Sequence, residues 1–441
     1  MGGCGGNAEN QAFITWASQN AVACEDFNTP PAAAVAAFIE DKLGPARLGP
    51  AWLGPAWLVG LGESRHDTRE QLLFKSLLVR QLIEHSGFRA LILEESYAHV
   101  LALDRYLTTG EGDARILLNN LAGWYLWDTE EMLALFQWIR EFNQHRNPDR
   151  QVRLYGTDIT APAQGVQVVL ETLAAAGVEH QLNAQVLGLD LQRGDYWPAT
   201  WERYNALSDQ QRRQIAENYG ALLAILATEK TRLTAHLSPQ GYDHIRLMAE
   251  IGERGNAFFS TSDLATAGAI REAGMARVTL WVLNQEMEGE KAILWAHNLH
   301  VAKSTFLMPD LAAGALEPMG IHLSEALGDA YLAVGGTFGT GSYGPDLPPG
   351  ELLFEPVAVD VMDGALAKVP LANFLLDLRG DDRDGPVNRW LQRERPWRAQ
   401  GPHAVMVPGK SFDLVYFVSR ITRSRPTPLA LQRFQAMGRG Q

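Results

Sequence analysis

The stretch of sequence that decides the fold is Trp57-Leu-Val-Gly-Leu61, which is followed by Gly62-Glu-Ser-Arg-His-Asp67 and then by a helix-like segment at 71–85. A short continuous apolar run before an amphipathic stretch is typical of a β-strand and the helix that follows it. The lack of polar residues within the run indicates a strand that is buried on both faces, as in a parallel sheet. The segment therefore predicts one β-α unit.

The same alternation of apolar strands and amphipathic helices recurs along the chain. A second helical pattern spans 129–146, and further strand patterns lie at 88–93, 152–156, 291–296, 331–334 and 414–418. Such alternation predicts an α/β fold in which helices cover a mostly parallel central sheet. The region 161–289 is rich in Ala, Leu, Gln, Arg and Glu and poor in β-branched runs, which predicts a large helical insert.

These patterns divide the chain into four segments. Residues 1–55 hold an N-terminal helix and a linker rich in Pro and Gly, in which a five-residue unit beginning at Gly44 occurs three times. Residues 56–160 form the first part of the α/β core, 161–289 the helical insert, and 290–441 the second part of the core with a C-terminal tail. The repeated unit is too short and too rich in proline for a solenoid repeat, so we interpret it as a local duplication within the linker.

Composition and charge exclude several classes of protein. The 441 residues are 46% hydrophobic, which is enough apolar material for a large core, and the formal charge is 38 − 51 = −13. This acidic balance argues against a nucleic-acid partner. We recognise no export signal and no apolar run of about 18 residues, so we expect no membrane association. With only Cys4 and Cys24 as thiols we predict a cytoplasmic protein, and no heptad pattern indicates its oligomeric state.

The residues that follow the predicted strands carry the chemistry of the sequence. The ionisable residues at these strand ends are Glu63, Arg65, His66 and Asp67, then Glu94 and Glu95, then Asp158, and finally His297 and His300. In an open parallel sheet the carboxyl ends of the strands share one edge, and ligands bind in the crevice at that edge. Two imidazoles and several carboxylates from separate strands therefore indicate a functional site there.

Histidine and carboxylate together suggest chemistry on water. A neutral imidazole, with an intrinsic pKa of about 6.5, accepts a proton from water near neutral pH, and a carboxylate orients it and stabilises the imidazolium. Glu63 and His66, three residues apart across a turn, suit these roles. His297 can hold the tautomer of His66, donate to a developing oxyanion or protonate the leaving alcohol. The same set can also bind Zn²⁺, and the residues alone do not separate these alternatives.

Other catalytic patterns fail in this sequence. Neither Ser64 nor Ser342 lies in a GxSxG nucleophile elbow, which argues against a serine esterase of the α/β-hydrolase type. The GxGxxG match at 339–344 runs into prolines and opens no helix, so it does not predict a dinucleotide site. No HExxH, CxxC or Walker A string occurs. We therefore predict no cofactor, with metal dependence left open.

Two motifs resemble the erythromycin esterase family: Val59-Gly-Leu-Gly-Glu-Ser-Arg-His66 and Trp295-Ala-His-Asn-Leu-His-Val301. The resemblance implies metal-independent hydrolysis of a macrolide lactone on an α/β core, with a helical part that borders the active-site cleft. It also implies roles for single residues: His66 as the general base on water, Glu63 as its orienting carboxylate, Glu94 and His297 completing the site, Lys75 as a basic residue near the oxyanion, and His300 as the second histidine of the motif.

The sequence departs from the family pattern beside the base. Members usually read GEATHGT at the first strand end, whereas Arg65 and Asp67 stand here in place of the Thr and the second Gly. Two added charges can alter the polarity of the substrate or the pKa of His66. The residues that we predict to bind substrate are therefore Arg65, Asp67, Lys75, Trp124, Tyr125, Asp158 and His300. For Trp124 and Tyr125, packing beneath a loop explains the aromatic cluster equally well.

Our interpretation of the sequence is a hydrolase that cleaves an ester or macrolactone of a bulky natural product by His-activated water, without a serine nucleophile. Two alternatives use the same residues. One is a biosynthetic tailoring enzyme that carries out cyclisation, elimination or acyl transfer, which Arg65 and Asp67 motivate. The other is a non-catalytic protein that binds a metal or haem through His66 and His297.

Overall fold

The computed structural model describes residues 3–27, 31–43, 57–192, 197–287, 289–309, 314–379, 385–400 and 403–438. The repeated linker unit at 44–56 lies outside the described residues. Within the described ranges the predicted α/β fold, a mostly parallel central sheet covered by helices, is confirmed.

The described residues form thirteen strands, of which six overlap the predicted apolar runs and seven were not predicted. They are β1 (Val22–Ala23), β2 (Trp57–Leu61), β3 (Phe88–Ser96), β4 (Arg153–Asp158), β5 (Lys291–Trp295), β6 (Phe306–Leu307), β7 (Ala315–Leu316), β8 (Tyr331–Tyr343), β9 (Leu352–Phe354), β10 (Asn373–Asp377), β11 (Arg395–Arg398), β12 (His403–Met406) and β13 (Leu414–Thr422). Strand β2 has the predicted bounds, and β8 continues nine residues beyond the predicted end at Val334 because its Gly-rich second half still pairs with β13.

The helices cover both the core and the region between β4 and β5. They are α1 (Gly3–Asn20), α2 (Ala33–Leu43), α3 (Arg69–Ser86), α4 (Tyr97–Thr109), α5 (Ala114–Asn119), α6 (Trp124–Trp127), α7 (Glu130–Gln144), α8 (Ala163–Ala175), α9 (Trp197–Asn205), α10 (Asp209–Thr228), α11 (Lys230–Leu237), α12 (Pro239–Ser260), α13 (Leu264–Trp281), α14 (Asn298–Val301), α15 (Met319–Leu327), α16 (Met362–Leu366), α17 (Pro386–Leu391), α18 (Pro408–Ser411) and α19 (Pro428–Gly438). None of the helices described combines the length and the apolar composition that crossing a bilayer requires.

The central sheet has the strand order β1-β10-β13-β8-β2-β5-β3-β4. The six strands from β13 to β4 are parallel to one another, while β1, β10 and the short β9 pair antiparallel. Strands β2, β5 and β3 lie side by side, with Leu61 and Leu93 both in register with Trp295. All of β2 and most of β5 and β3 are buried, as the apolar runs predict.

This arrangement fixes which strand ends meet. Because β2, β5, β3 and β4 are parallel neighbours, the turns that follow them open at one edge of the sheet. A β-bulge interrupts the pairing of β3 with β4 between Leu93 and Ser96. Adjacent residues of a regular strand point to opposite faces, but a bulge re-aims one of them. The bulge therefore explains how both Glu94 and Glu95 line the same cavity.

Two further regions border this edge. Helix α12 packs against both α8 and α13, and α13 packs against β4 and continues into a π-helix at Val282–Glu286. A second, antiparallel sheet has the order β11-β12-β6-β7, and Gln400 lies two residues after its strand β11. The cavity at the sheet edge is consequently enclosed by residues from three separate parts of the chain.

Candidate active site

A cavity of about 480 Å³ opens at the carboxyl edge of the central sheet. Its polar side is formed by strand-end residues, α13 and the segment after β11, and its members are His66, Glu94, Glu95, Asp158, Arg271, Glu272, His297, His300 and Gln400. Its apolar side is formed mainly by Leu126, Leu299, Phe306, Met308 and Leu316. A mostly apolar wall with a few convergent polar groups is typical of a small-molecule site.

The turn at residues 62–67, called here the Glu63–His66 turn, is held by close packing against α14. A Cβ atom on Gly62 would lie 2.3 Å from the Asn298 side-chain oxygen, so this close approach requires glycine. Asn298 also donates its backbone N–H to the Glu63 carbonyl at 2.8 Å, and its side chain exchanges two hydrogen bonds with the backbone of Gly336. The turn is therefore fixed to the neighbouring strand end before any side chain of the site is considered.

Within this turn Glu63 and His66 form a hydrogen-bonded pair. His66 Nδ1 lies 2.8 Å from Glu63 Oε1, and the second carboxylate oxygen of Glu63 contacts the Lys75 ammonium. Lys75 also reaches the Ala296 carbonyl at 3.3 Å and lies 4.3 Å from the ring centre of Trp295. Burial lowers the pKa of Lys75 well below its usual range, whereas all three contacts favour its ammonium form. Lys75 therefore holds Glu63 from behind and does not line the cavity.

The pairing with Glu63 sets the tautomer of His66. An ionised carboxylate only accepts hydrogen bonds, so Nδ1 carries the proton and Nε2 keeps its lone pair. No group among the described residues hydrogen-bonds Nε2, and the side chain keeps 15% of its surface exposed at the cavity. Burial lowers the pKa of His66, an effect that the Glu94 carboxylate opposes. The imidazole is therefore neutral near neutral pH, with a free proton acceptor facing the cavity.

His297 lies beside His66, with 5.0 Å between the ring centres, but its two nitrogens are already engaged. Nε2 donates to the Ser64 carbonyl at 3.0 Å, and Nδ1 accepts the backbone N–H of Leu299 at 3.1 Å. Burial, together with the nearby His66, lowers the pKa of His297 well below its usual range. His297 is thus a neutral side chain that ties the Glu63–His66 turn to α14.

A second group of polar residues, called here the ionic cluster, consists of Glu94, Asp158, Arg271, Glu272 and His300. The Arg271 guanidinium is its centre: it donates to Glu94 Oε1 at 2.9 Å and to both oxygens of Asp158 at 2.8 and 3.2 Å. Burial alone raises the pKa of Glu94, but the charges of His300 and Arg271 lower it well below its usual range. Glu94 is therefore ionised, and its second oxygen accepts the backbone N–H of His297 at 2.9 Å.

His300 belongs to the same cluster and is charged. Nδ1 lies 2.6 Å from Glu272 Oε1, and Nε2 lies 3.0 Å from Glu94 Oε1. Burial alone lowers the pKa of His300, but the two carboxylates outweigh it and raise the pKa to about 10. Arg271 Nη1, 3.3 Å from His300 Nε2, therefore faces another cation and donates no hydrogen bond to it. Two like charges are held together here by three carboxylates.

Glu95 lines the cavity next to the ionic cluster. Its two oxygens accept the backbone N–H groups of Ser96 and Gly123, each at 2.7 Å. Burial raises the pKa of Glu95 to about 7, against the opposing effect of these two hydrogen bonds. The side chain thus holds Gly123, the residue before α6, and α6 brings Tyr125 and Leu126 to the cavity wall.

Arg65 and Asp67, the two charges predicted to bind substrate, pair with each other. Arg65 donates from Nε and Nη2 to the two oxygens of Asp67 at 3.1 and 3.2 Å, and Tyr343 donates to Asp67 at 2.9 Å. The guanidinium lies 5.1 Å from the ring centre of Phe354. The side chains of Arg65 and Asp67 are at most one-tenth exposed, and neither lines the cavity.

The structure therefore brings seven of the predicted residues to the cavity or its immediate wall: Glu63, His66, Glu94, Tyr125, Asp158, His297 and His300. Lys75, Arg65 and Asp67 lie behind this wall. Trp124 packs against Phe434 of α19, with 4.9 Å between the ring centres, and under Arg433, so it is part of the packing beneath the loop. Among the described residues no group of three His, Cys, Asp or Glu side chains is arranged to hold a metal ion.

The sequence did not predict Arg271, Glu272 or Gln400 as site residues. Arg271 and Glu272 lie next to each other in the middle of α13. Most of the other residues in the sequence of this helix are Ala, Gly or apolar. A helix without a polar face is usually buried, so an adjacent Arg-Glu pair in its middle was a usable signal for a buried ionic site. Gln400 follows a short strand and carries no comparable signal.

Comparison with known proteins identifies the family. A family profile described as erythromycin esterase matches residues 83–423, more than half of the chain. The chain belongs to the erythromycin esterase family. Erythromycin esterase type II from Escherichia coli is 26% identical over 303 residues, which span 63% of this chain and 68% of the relative. A putative hydrolase, YbfO, from Bacillus subtilis is 22% identical over 302 residues, spanning 63% and 64% of the two chains.

Solved structures show the same fold. A Bacillus cereus protein has a TM-score of 0.75 at 23% identity, covering 95% of this chain and 99% of that protein. A mutant of the erythromycin esterase EreC in its open conformation has a TM-score of 0.62 at 20% identity, covering 84% and 92%. Membership of the erythromycin esterase family supports an esterase-type hydrolase. The range that the family profile matches starts at residue 83 and so does not include the Glu63–His66 turn.

Proposed function

We propose that this member of the erythromycin esterase family hydrolyses an ester or macrolactone of a bulky natural product with a water molecule activated by His66. One observation carries the proposal: His66 donates from Nδ1 to Glu63 and presents a free Nε2 to the cavity. A neutral histidine with this tautomer is suited to accept a proton from water.

The reaction follows from this arrangement. As the water oxygen attacks the ester carbonyl carbon, its proton moves to His66 Nε2, and the carbonyl electrons move to oxygen to give a tetrahedral oxyanion. Glu63 stabilises the imidazolium that forms, and Lys75 holds Glu63 in place. When the intermediate collapses, the carbonyl re-forms, the alkoxide leaves, and it takes the proton from His66 Nε2. A lactone gives one hydroxy acid, and an open ester gives an acid and an alcohol.

The other predicted residues have supporting roles in this proposal. Glu94 aligns the backbone of His297, and His297 in turn holds the Ser64 carbonyl next to the base. Arg271 and His300 line the far side of the cavity, where their charges are balanced by Glu94, Asp158 and Glu272, so the ionic cluster gives this wall fixed, paired charge. We assign water and not Ser64 as the nucleophile because Ser64 is fully buried and its Oγ accepts a hydrogen bond from Gln71 at 3.0 Å.

The two alternative functions receive less support from these contacts. The tailoring enzyme was motivated by Arg65 and Asp67 as charges beside the substrate, but the two side chains neutralise each other outside the cavity. The metal- or haem-binding alternative relied on the ring nitrogens of His66 and His297 as ligands. Three of these four nitrogens are hydrogen-bonded to other protein groups, and among the described residues only His66 Nε2 lacks such a partner. Hydrolysis therefore remains the function that the site supports best.

The proposal is tested by incubating the purified protein with erythromycin and related macrolides in oxygen-18 water and analysing the products by mass spectrometry. We expect a mass gain of one water, with the heavy oxygen in the product acid, and loss of turnover in His66→Ala with an unchanged circular dichroism spectrum. A covalent acyl-enzyme on Ser64, or full turnover by His66→Ala, would contradict the mechanism.

A further inference from the structure

Gln400 is attached to the Glu63–His66 turn at two points. Its backbone carbonyl accepts a hydrogen bond from Arg65 Nη1, and its side-chain Oε1 accepts the backbone N–H of His66 at 3.1 Å. Arg65 itself is immobilised by its paired bonds to Asp67 and by the ring of Phe354. The two residues that depart from the family pattern therefore anchor a segment from the second sheet beside the base.

This attachment fixes the orientation of the Gln400 amide. The oxygen and nitrogen of a glutamine are distinguished by their partners, and a backbone N–H can only donate. The amide oxygen must therefore face His66 N, which leaves the Nε2 hydrogens on the other side of the amide group. Gln400 lines the cavity, and no acceptor among the described residues binds its Nε2. The cavity wall thus includes a neutral amide donor on a residue that is hydrogen-bonded to the backbone of His66.

We propose that Gln400 is a catalytic residue whose side-chain N–H stabilises the oxyanion of the tetrahedral intermediate. The proposal rests on the proposed function and deepens it. Water held by His66 Nε2 attacks a carbon about 3 Å away, so the oxyanion forms within a few ångströms of His66. A donor that is itself hydrogen-bonded to the backbone of His66 lies in that region. As the carbonyl electrons move to oxygen, the amide donates to the new negative charge without changing its own charge.

The two cationic donors of the cavity, His300 and Arg271, already have partners. The ring of His300 packs against that of His297, with 6.4 Å between the ring centres. Its two N–H groups are directed to Glu94 and Glu272. Arg271 is beside His300, and three of its N–H groups bind Glu94 and Asp158. Their positive charge is largely balanced by these carboxylates.

The kinetic test uses p-nitrophenyl butyrate and the variants Gln400→Met and Gln400→Glu. Gln400→Met removes the donor at similar volume, and we expect kcat to fall about 10²- to 10³-fold with little change in KM. Gln400→Glu keeps an acceptor for His66 N–H but places a negative charge beside the oxyanion, so we expect a loss at least as large. Gln432→Glu, the same charge change on the exposed face of α19, is the matched control and should leave kcat unchanged. Wild-type kcat in Gln400→Met would overturn the proposal.

A binding measurement separates this proposal from the proposed function. Methyl butylphosphonate, a tetrahedral anion, is titrated into the wild type and Gln400→Met by calorimetry. We expect binding that weakens about tenfold or more in the variant, because analogues of the intermediate report the donor without turnover. If the wild type cleaves no ester, hydrolysis is wrong, and weaker phosphonate binding by Gln400→Met still supports the donor. Equal affinity in both proteins, or binding by neither, overturns it.

Discussion

The two sides of the cavity are built from the same residue types, but their histidines differ in charge: the rings are neutral on one side and positively charged on the other. On the side of the Glu63–His66 turn, burial lowers the pKa of both His66 and His297, so both rings are neutral. In the ionic cluster, only three residues further along the chain from His297, two carboxylates raise the pKa of His300 to about 10. All three rings are largely removed from solvent, so burial alone does not set the charge.

The difference lies in how many carboxylates each ring contacts. The hydrogen bonds of His297 go only to backbone groups. His66 is hydrogen-bonded to Glu63, which also pairs with Lys75. His300 pairs with two carboxylates, those of Glu94 and Glu272. A neutral ring with a free nitrogen exchanges protons near neutral pH, whereas a doubly paired imidazolium does not. The comparison therefore supports the proposed mechanism, in which the turn transfers the proton and the ionic cluster holds fixed charge.

The sharpest way to break this comparison is to remove the charge of Glu63. In Glu63→Gln the side-chain amide can donate to Nδ1, which moves the ring proton to Nε2 and removes the free acceptor. We expect kcat on any hydrolysed ester to fall about 10²- to 10⁴-fold. The measurement is steady-state kinetics at neutral pH.

A second variant controls for folding. Glu63→Gln leaves the Lys75 ammonium buried without its carboxylate, which destabilises the fold by itself. The double variant Glu63→Gln/Lys75→Met removes that charge, so we expect urea unfolding to recover toward the wild type while kcat stays low. Recovery of kcat in the double variant would show that Glu63 serves the fold alone.

The ionic cluster is tested by Arg271→Met, for which we expect a loss of stability and not only of turnover. The variant leaves the side chains of Glu94 and Asp158 in a buried site without their shared cation, and breaking a buried ion pair typically costs about 3–5 kcal/mol. The free energy of unfolding in urea measures this loss. Arg277→Met on the same helix is the matched control. Arg277 is 44% exposed and, in the part of the chain that the structure describes, pairs only with Glu250, so the loss of stability should be about 0–1 kcal/mol. Equal losses in both variants would contradict a buried cluster.

The sequence predicted one side of this comparison better than the other. Apolar strands and the polar residues directly after them are local signals, and they sufficed to place Glu63, His66, Glu94 and His297 at one edge of a parallel sheet. The fold class followed from the same runs, because parallel neighbours bury both faces of each strand. The turn is therefore largely readable from the residues within it.

The ionic cluster was harder to predict because its partners are far apart in sequence. Arg271 lies 113 residues from Asp158 and 177 from Glu94, and nothing near Arg271 indicates which carboxylates it will meet. Arg65 and Asp67 show the opposite difficulty: their charges were visible, but their mutual pairing under Tyr343 and Phe354 depends on strands β8 and β9. A charge state depends on its neighbours in space, and sequence shows only neighbours along the chain.

The charge of His300 makes stability depend on pH in a defined direction. Its pKa is raised from an unfolded value of about 6.5 to about 10, so its contribution is complete below pH 6.5 and is lost as pH rises toward 10. We expect the unfolding free energy of the wild type to fall across this interval. In His300→Asn this part of the dependence should be absent, as urea unfolding at several pH values would show. Parallel curves for the two proteins would mean that His300 is neutral in the folded state.

The smallest expected effect concerns the pH profile of turnover. In the proposed mechanism the neutral form of His66 is the active one. Because its pKa is lowered, the acid limb of kcat/KM should have its midpoint below pH 6.5, the ordinary histidine value. Glu94 opposes this lowering, so Glu94→Gln, which keeps an oxygen for His297 N–H, should move the midpoint further down. The two sides of the cavity are then coupled through Glu94. This carboxylate belongs to the ionic cluster, and it also raises the pKa of His66. An unchanged midpoint in Glu94→Gln would mean that the base is set by the Glu63–His66 turn alone.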